Sequence, residues 1–430
     1  MRFMHIADIH LGNQQYGLKE RFNDFSAVFL RLVDEAIGRR VDFVLLAGDL
    51  FEKRTVEPLA MRVAIAGLAQ LREAGIPVLA VEGNHERAFF QEQTSWMDFL
   101  DALDYLKLLS PRFVEGKAQL TPHGTEGGAY IDLPEGVRVY GMRYYGASTG
   151  KAVQALADAL ADQDHGAPAY TIVMLHAGLE GQLAHMGRLR YDDVALLRPY
   201  ADYVALGHIH KPYVVEDWIY NPGSPETCSM TETIWPQRGY LIVDIEPDHN
   251  PKHRAELLAP QRRPFRRFEI AVDALMSPAE VTDQVKALIR RESTTVPAAP
   301  RPVVELALTG MLPFNRYDLD LDAIQRLLEE AWDPLMTRVR NLSTPAAFEI
   351  QVEDESSRPE LERAIVRELL ERDARYRSQA EAWAGGALEL KRLVLDNGAP
   401  EAIIDHLRRL RSQLSDGEGP DAAQADRAEA

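Results

Sequence analysis

Short apolar runs alternate with amphipathic stretches over the first 260 residues. Residues 3–7, 41–46, 77–81, 170–175 and 203–206 are almost continuously hydrophobic, the pattern of strands buried on both faces of a sheet. Between the first two, Phe22, Phe25, Val28, Phe29, Leu32, Val33 and Ile37 recur at helical spacing, and Met61, Ile65, Leu68 and Leu71 do so after the second. Trp96, Phe99, Leu100 and Leu103 mark a further amphipathic helix. This alternation with short links predicts a largely parallel sheet covered by helices. Residues 113–169 are less regular and rich in Gly and Ala, with one clear strand over 138–142. Two more strands, 218–220 and 240–245, would complete the sheet system near residue 260.

Beyond residue 262 the period changes. Strand-like 267–272, 303–308 and 348–352 enclose helical 279–291 and 321–332, which predicts a small α+β domain over 262–352. Residues 358–414 read as a helical hairpin. Leu361, Ile365, Leu369 and Leu370 begin it, Leu390, Leu393, Val394 and Leu395 follow, and Ile403, Ile404, Leu407, Leu410 and Leu414 close it. Between them Asn397-Gly398-Ala399-Pro400 reads as a helix stop and a new start. Such a stripe needs a surface to lie on, in its own domain or on a partner. The polar, Ala-rich tail 415–430 is expected to be disordered.

Composition narrows the chemistry. With 430 residues, 46% hydrophobic and 27% charged, the chain reads as a soluble globular protein of about two or three domains. No apolar run approaches the roughly 20 residues that span a bilayer. The N-terminus has neither a basic n-region nor a cleavage site, so a cytoplasmic location is expected. A net charge of -18 argues against nucleic-acid binding through overall charge, while leaving room for a local basic groove. The single cysteine, Cys228, excludes an internal disulfide framework and any zinc site of several thiolates. A bound metal would have to use His, Asp, Glu and Asn.

Those residue types stand where the apolar runs end. Leu45-Leu46-Ala47-Gly48-Asp49 delivers one carboxylate to the C-terminal edge of a strand, where open α/β sheets place their sites. Asp8 and His10 follow the first run at alternate positions, which in an extended segment would share a face while Ile9 faces the core. Asn84 and His85 follow the third run, His176 the fourth, and His208 and His210 the fifth. Five of the 12 histidines fall in this set, and one sheet edge would not gather so many polar groups without use for them. A mixed N/O set suits borderline-hard cations such as Mn²⁺, with Fe or Zn as alternatives. Two such ions about 3.5–4 Å apart can hold a water and a phosphoryl oxygen for in-line attack. The expected reaction is phosphoester hydrolysis.

Asp8-x-His10, Gly48-Asp49, Gly83-Asn84-His85-Glu86, His176 and Gly207-His208-Ile209-His210 resemble, in this order, the five motifs of calcineurin-like metallophosphoesterases. The fuller wording, Ala7-Asp8-Ile9-His10-Leu11-Gly12, Gly48-Asp49-Leu50-Phe51 and Leu206-Gly207-His208-Ile209-His210-Lys211, is similar to the SbcD and meiotic-recombination-eleven nucleases, above all their archaeal members. The resemblance implies an α/β fold: a metallophosphoesterase sheet sandwich flanked by helices over 1–260, then a capping domain over 262–352 and the hairpin of 358–414. It implies two Mn²⁺ per subunit, one on Asp8, His10, Asp49 and His210, the other on Asp49, Asn84, His176 and His208, with Asp49 bridging. His85 would face the scissile phosphate, to stabilise developing charge or protonate the leaving oxygen. Where many relatives have another histidine just after Leu50-Phe51, this chain has Glu52.

The resemblance further implies a nuclease that degrades double-stranded DNA ends from the 3′ side and nicks single-stranded or hairpin DNA, in a nucleoid-associated complex with a coiled-coil ATPase of the SbcC type. Its hairpin would dock on that ATPase. Tyr16, Lys53, Arg54, Arg87 and Lys211 each follow a motif and would meet the phosphate backbone at the mouth of the site. A homodimer contact is expected through Trp96, Phe99, Leu100 and Leu103. The alternative is a phosphodiesterase or phosphatase of the same superfamily acting on small molecules or proteins. Against a protein phosphatase stands the second motif, which lacks the usual Gly-Asp-x-x-Asp-Arg-Gly and reads Gly48-Asp49-Leu50-Phe51-Glu52-Lys53-Arg54.

Overall fold

The computed structural model describes residues 1–89, 94–124, 128–162, 166, 168–183, 189–296, 300–345, 358–371, 376–395 and 400–415. Contacts divide the chain into two compact units, Met1–Phe265 and Arg266–Ala430.

Two sheets packed face to face build the first unit. One runs in the order 253–258, 240–245, 2–6, 43–46, 78–80, 107–108, and the other in the order 213–215, 219–221, 203–206, 170–175, 137–142, 128–133, 121–122. Alternate residues of the central strands face opposite ways, and both directions are dry. Phe3, Phe43, Leu45 and Leu79 meet Val139, Tyr170, Ile172, Met174 and Tyr203 of the second sheet in a core between the sheets. Met4, Ile6, Val44, Leu46 and Val78 point outward against the helices Lys19–Gly38 and Pro58–Glu73. This double burial is why the runs are continuous rather than alternating. Each fully buried large side chain contributes about 1.5–3 kcal/mol.

Most pairings in the two sheets are parallel, as expected, with antiparallel pairs toward the sheet edges. Strands 2–6, 43–46, 78–80 and 107–108 are parallel, but Tyr240–Ile245 pairs antiparallel with the first strand, and His253–Leu258 pairs antiparallel with it in turn. The interval 113–169 holds more than one strand. Gly128–Leu133 and Val137–Met142 form an antiparallel hairpin, and the helix Thr149–Asp162 buries Val153, Leu156 and Leu160 against the outer face of the second sheet. Alanine fills three of the seven buried positions of that helix.

In the second unit, Phe265–Ala271, Val303–Thr309 and Met336–Asn341 form a three-stranded sheet. Helices Pro278–Glu292 and Leu321–Trp332 cover it through Val281, Val285, Leu288, Ile324 and Leu328. Ser277 and Asp320 cap these helices with side-chain oxygens, as residues of their type do at N-termini. The strand expected over 348–352 lies outside the described residues, and Met336–Asn341 is the strand that pairs parallel with Val303–Thr309. The expected hairpin is drawn out into three helices, Arg358–Glu371, Ala380–Leu395 and Pro400–Ser415. The tail 416–430 and the junction 396–399 lie outside the described residues. Among the described residues no helix is long and apolar enough to cross a membrane.

Candidate metal centre

The loops that follow strands Arg2–Ile6, Phe43–Leu46, Val78–Ala80, Tyr170–Leu175 and Tyr203–Leu206 converge at one edge of the sandwich. Asp8 and His10 do not share a face by being extended. Both are left-handed (φ 55° and 53°), as are Asp49 (φ 54°) and His208 (φ 82°). That conformation costs on the order of 1–2 kcal/mol per residue, and four such residues at one edge are strain gathered at a site. The loops hold it by continuing the ladder past the strands. Asp8 N donates to Gly48 O at 3.1 Å, and His10 N donates to Asp49 O at 3.0 Å. Glycine is required where the loops touch: a Cβ on Gly48 would sit 2.3 Å from His176 Nδ1, and one on Gly83 would sit 2.1 Å from Asp49 Oδ1.

The expected ligands are brought together. Donor atoms of Asp8, His10 and Asp49 lie within 4.8 Å of one another, and so do those of Asp49, His176 and His208, so Asp49 belongs to both groups. Asp49 Oδ2 is 3.3 Å from His176 Nε2. Asn84 Oδ1 lies 3.0 Å from His176 Nε2 and 2.8 Å from His208 Nδ1. His10 Nε2 faces His210 Nε2 at 3.1 Å. Both carboxyl oxygens of Asp8 accept the His208 backbone N–H at 3.0 Å, which ties the two sheets at the site. His85 donates its own N–H to Asp49 Oδ1 at 3.0 Å and its ring Nδ1–H to Glu52 O at 2.7 Å, leaving Nε2 toward the centre, 4.0 Å from Asp49 Oδ2.

The electrostatics follow from this crowding. Burial alone would raise the Asp49 carboxyl, yet His176, His10 and His85 hold it well below the usual carboxylate range. Burial likewise works to lower His176, and the Asp49 carboxylate raises it to about 9. His208 is taken down to about 4 by burial and by the charge of His176. The donor set fits divalent cations. Two imidazole nitrogens, His10 Nε2 and His210 Nε2, face each other, and a cation between such groups would take up their lone pairs.

Some residues at the site were not read from the sequence as site residues. Glu86 is buried behind the second and third motif loops, and its carboxylate accepts from Asp49 N at 2.8 Å, Gly83 N at 2.9 Å and Phe51 N at 3.1 Å. Burial and the neighbouring Asp49 push it up to about 8. Its place in Gly83-Asn84-His85-Glu86 was the available signal. Tyr144 lays its ring beside His176 and His208, and Glu232 accepts from His210 Nδ1; neither carries a local signal. Cys228 lies within the same reach of His10 and His210.

Of the residues expected at the mouth, Tyr16, Lys53, Arg54 and Arg87 are exposed. Arg54 lies over the Phe89 ring. Lys211 is half-buried and donates to Gln182 O at 2.9 Å. On the helix Trp96–Ala102 the expected surface set needs one correction. Trp96 and Phe99 are each 39% exposed and Leu103 46%, but Leu100 is fully buried with Met97. The i, i+3 spacing turns that pair inward.

Sheet topology and motif order define the class, and residues 1–212 match the calcineurin-like phosphoesterase family. The first unit has the calcineurin-like metallophosphoesterase fold. Within that class the chain is similar to DNA double-strand break repair proteins Mre11 of archaea. It is 29% identical to that of Archaeoglobus fulgidus over 237 residues, 54% of this chain and 52% of the relative. It is 31% identical to that of Haloferax volcanii over 272 residues, 63% of this chain and 54% of the relative. With that of Sulfolobus acidocaldarius it shares 25% over 340 residues, 76% of this chain and 79% of the relative. The chain thus spans about half the length of the first two.

Proposed function

We propose that this protein is a deoxyribonuclease of the double-strand break repair type that uses two divalent cations, Mn²⁺ in the first instance. Asp8, His10, Asp49 and His210 would hold one, and Asp49, Asn84, His176 and His208 the other. The observation that carries the reading is the membership of Asp49 in both donor groups, beside a histidine that is oriented but not enclosed. When bound, the cations supply Lewis-acid activation of the phosphoester and of the attacking water. His85 works from the chain itself: Glu52 O fixes its ring through Nδ1, and a proton on Nε2 is then aimed at a phosphoryl or leaving oxygen. Asp49 anchors that ring's backbone N–H, so the shared ligand also places the donor.

A phosphodiester backbone as substrate is supported by the similarity to Mre11 proteins and by the exposed Tyr16, Lys53, Arg54 and Arg87, with Lys211 near the mouth. The reading includes 3′-to-5′ degradation of duplex ends and nicking of single-stranded or hairpin DNA. The α+β part of the second unit would cap the DNA. Leu369, Val394, Leu395, Ile404 and Leu407 of the C-terminal helices are 44–69% exposed and would meet an ATPase of the SbcC type. Trp96, Phe99 and Leu103 would meet a second copy.

The test is Mn²⁺-dependent cleavage of linear duplex and hairpin DNA by wild type and His85→Gln. Cleavage should be lost in the variant while its metal content stays at the wild-type level. Hydrolysis of small phosphodiesters alone, never of DNA, would move the assignment to a small-molecule phosphodiesterase.

A further inference from the structure

Glu232 stands in the short turn Met230–Ile234, outside every motif of the site. It is 5% exposed, and a buried carboxylate is costly unless paired. One oxygen takes Cys228 N at 2.9 Å and Arg238 Nη1 at 2.7 Å. Arg238 is itself buried and also donates to Glu232 O at 3.2 Å and to Thr227 Oγ1 at 2.6 Å. Those bonds stay within the loop. The other oxygen leads out of it, accepting His210 Nδ1–H at 2.8 Å. With that proton committed, the Nε2 lone pair of His210 points at the centre, where His10 Nε2 stands 3.1 Å away.

The other histidines are backed differently. His176 gives Nδ1–H to the neutral carbonyl of Ala47 at 2.7 Å. Glu52 brings a carboxylate oxygen within 3.0 Å of His10 Nδ1, but that nitrogen makes no hydrogen bond. Within the described residues His210 is the member of the set with a carboxylate hydrogen-bonded behind its ring. A carboxylate there fixes tautomer and ring orientation and places negative charge behind the ligand, and losing such a partner typically weakens metal binding about 10- to 100-fold.

We infer that Glu232 is a positioning residue that makes the cation site of Asp8, His10 and His210 the tighter of the two. The inference rests on the two-cation reading above. Cobalt(II) is the probe, because its visible absorption reports coordination without turnover. Titration of the full, metal-stripped chain should show two steps, one tight and one weaker. Glu232→Gln should weaken the tight step about 10- to 100-fold and leave the weaker one within about 3-fold. Because the buried Arg238 would lose its ion-pair partner in that variant, Glu232→Gln with Arg238→Met provides a second, charge-neutral loop with the same expected shift. Adding Glu232→Gln to His210→Gln should change nothing further. An unshifted tight step, or equal weakening of both steps, overturns the role of Glu232, and so do two equal steps in the wild type. Uptake of one ion or none by the wild type would instead sink the two-cation reading itself.

Discussion

The two sheets bring different chemistry to their common edge. Loops of the first sheet supply the oxygen donors, Asp8, Asp49 and Asn84, together with His10 and His85; loops of the second supply only imidazoles, His176, His208 and His210. Neither half is a centre for two cations. The bonds that cross between them, His208 N to Asp8, His176 to Asn84 and His176 Nδ1 to Ala47 O, make the site a property of sheet packing. Strain is distributed the same way, with three left-handed candidate ligands on the first sheet and one on the second.

The largest test removes the residue that serves both groups. Asp49→Asn is expected to abolish retention of both cations, whereas Asp8→Asn should mainly cost one; metal content after dialysis distinguishes them. Full retention of two ions by the Asp49 variant would mean that the centre is wrongly placed. Glu86→Ala probes the first-sheet loops alone. Three backbone N–H groups lose their acceptor, so chemical denaturation of the metal-free protein should show a loss on the order of 3 kcal/mol. A change below about 0.5 kcal/mol would show that water replaces the carboxylate.

Comparable in size is the test of the bond between the sheets deep in the core. His5, on the first sheet, donates Nε2–H to Leu206 O of the second at 3.0 Å, and its Nδ1 accepts from Tyr203 O–H at 3.0 Å. Burial lowers it to about 3. Because the unfolded chain binds the proton more readily, its contribution is complete above the unfolded value near 6.5 and fades as pH falls toward 3. The metal-free protein should lose up to about 1.4 kcal/mol per pH unit from this group over that window. His5→Gln should flatten the melting temperature between pH 6 and pH 4, and an unchanged slope would assign the acid sensitivity elsewhere.

Much of this was legible along the chain. Continuous apolar runs exist because strands of a covered sandwich are buried on both faces, and their polar endings had to emerge together at the sheet edge. Asp8, His10, Asp49, Asn84, His176, His208 and His210 could therefore be gathered before any contact was known. The helix Thr149–Asp162 was missed because alanine fills three of its seven buried positions and marks a core face weakly, and Leu100 was placed outside because the choice between two faces of one short helix depends on what covers it.

What the sequence by itself determined is which residues lie at strand ends and which segments are dry, since burial leaves its period in the residues. Only the tertiary structure decided how the candidate ligands point: the left-handed backbone at Asp8, His10, Asp49 and His208, and the carboxylates of Glu86 and Glu232 behind them. The reason is range. His10 and His210 stand 200 residues apart and meet at 3.1 Å, and no local pattern encodes a contact between loops that become neighbours only when two sheets close.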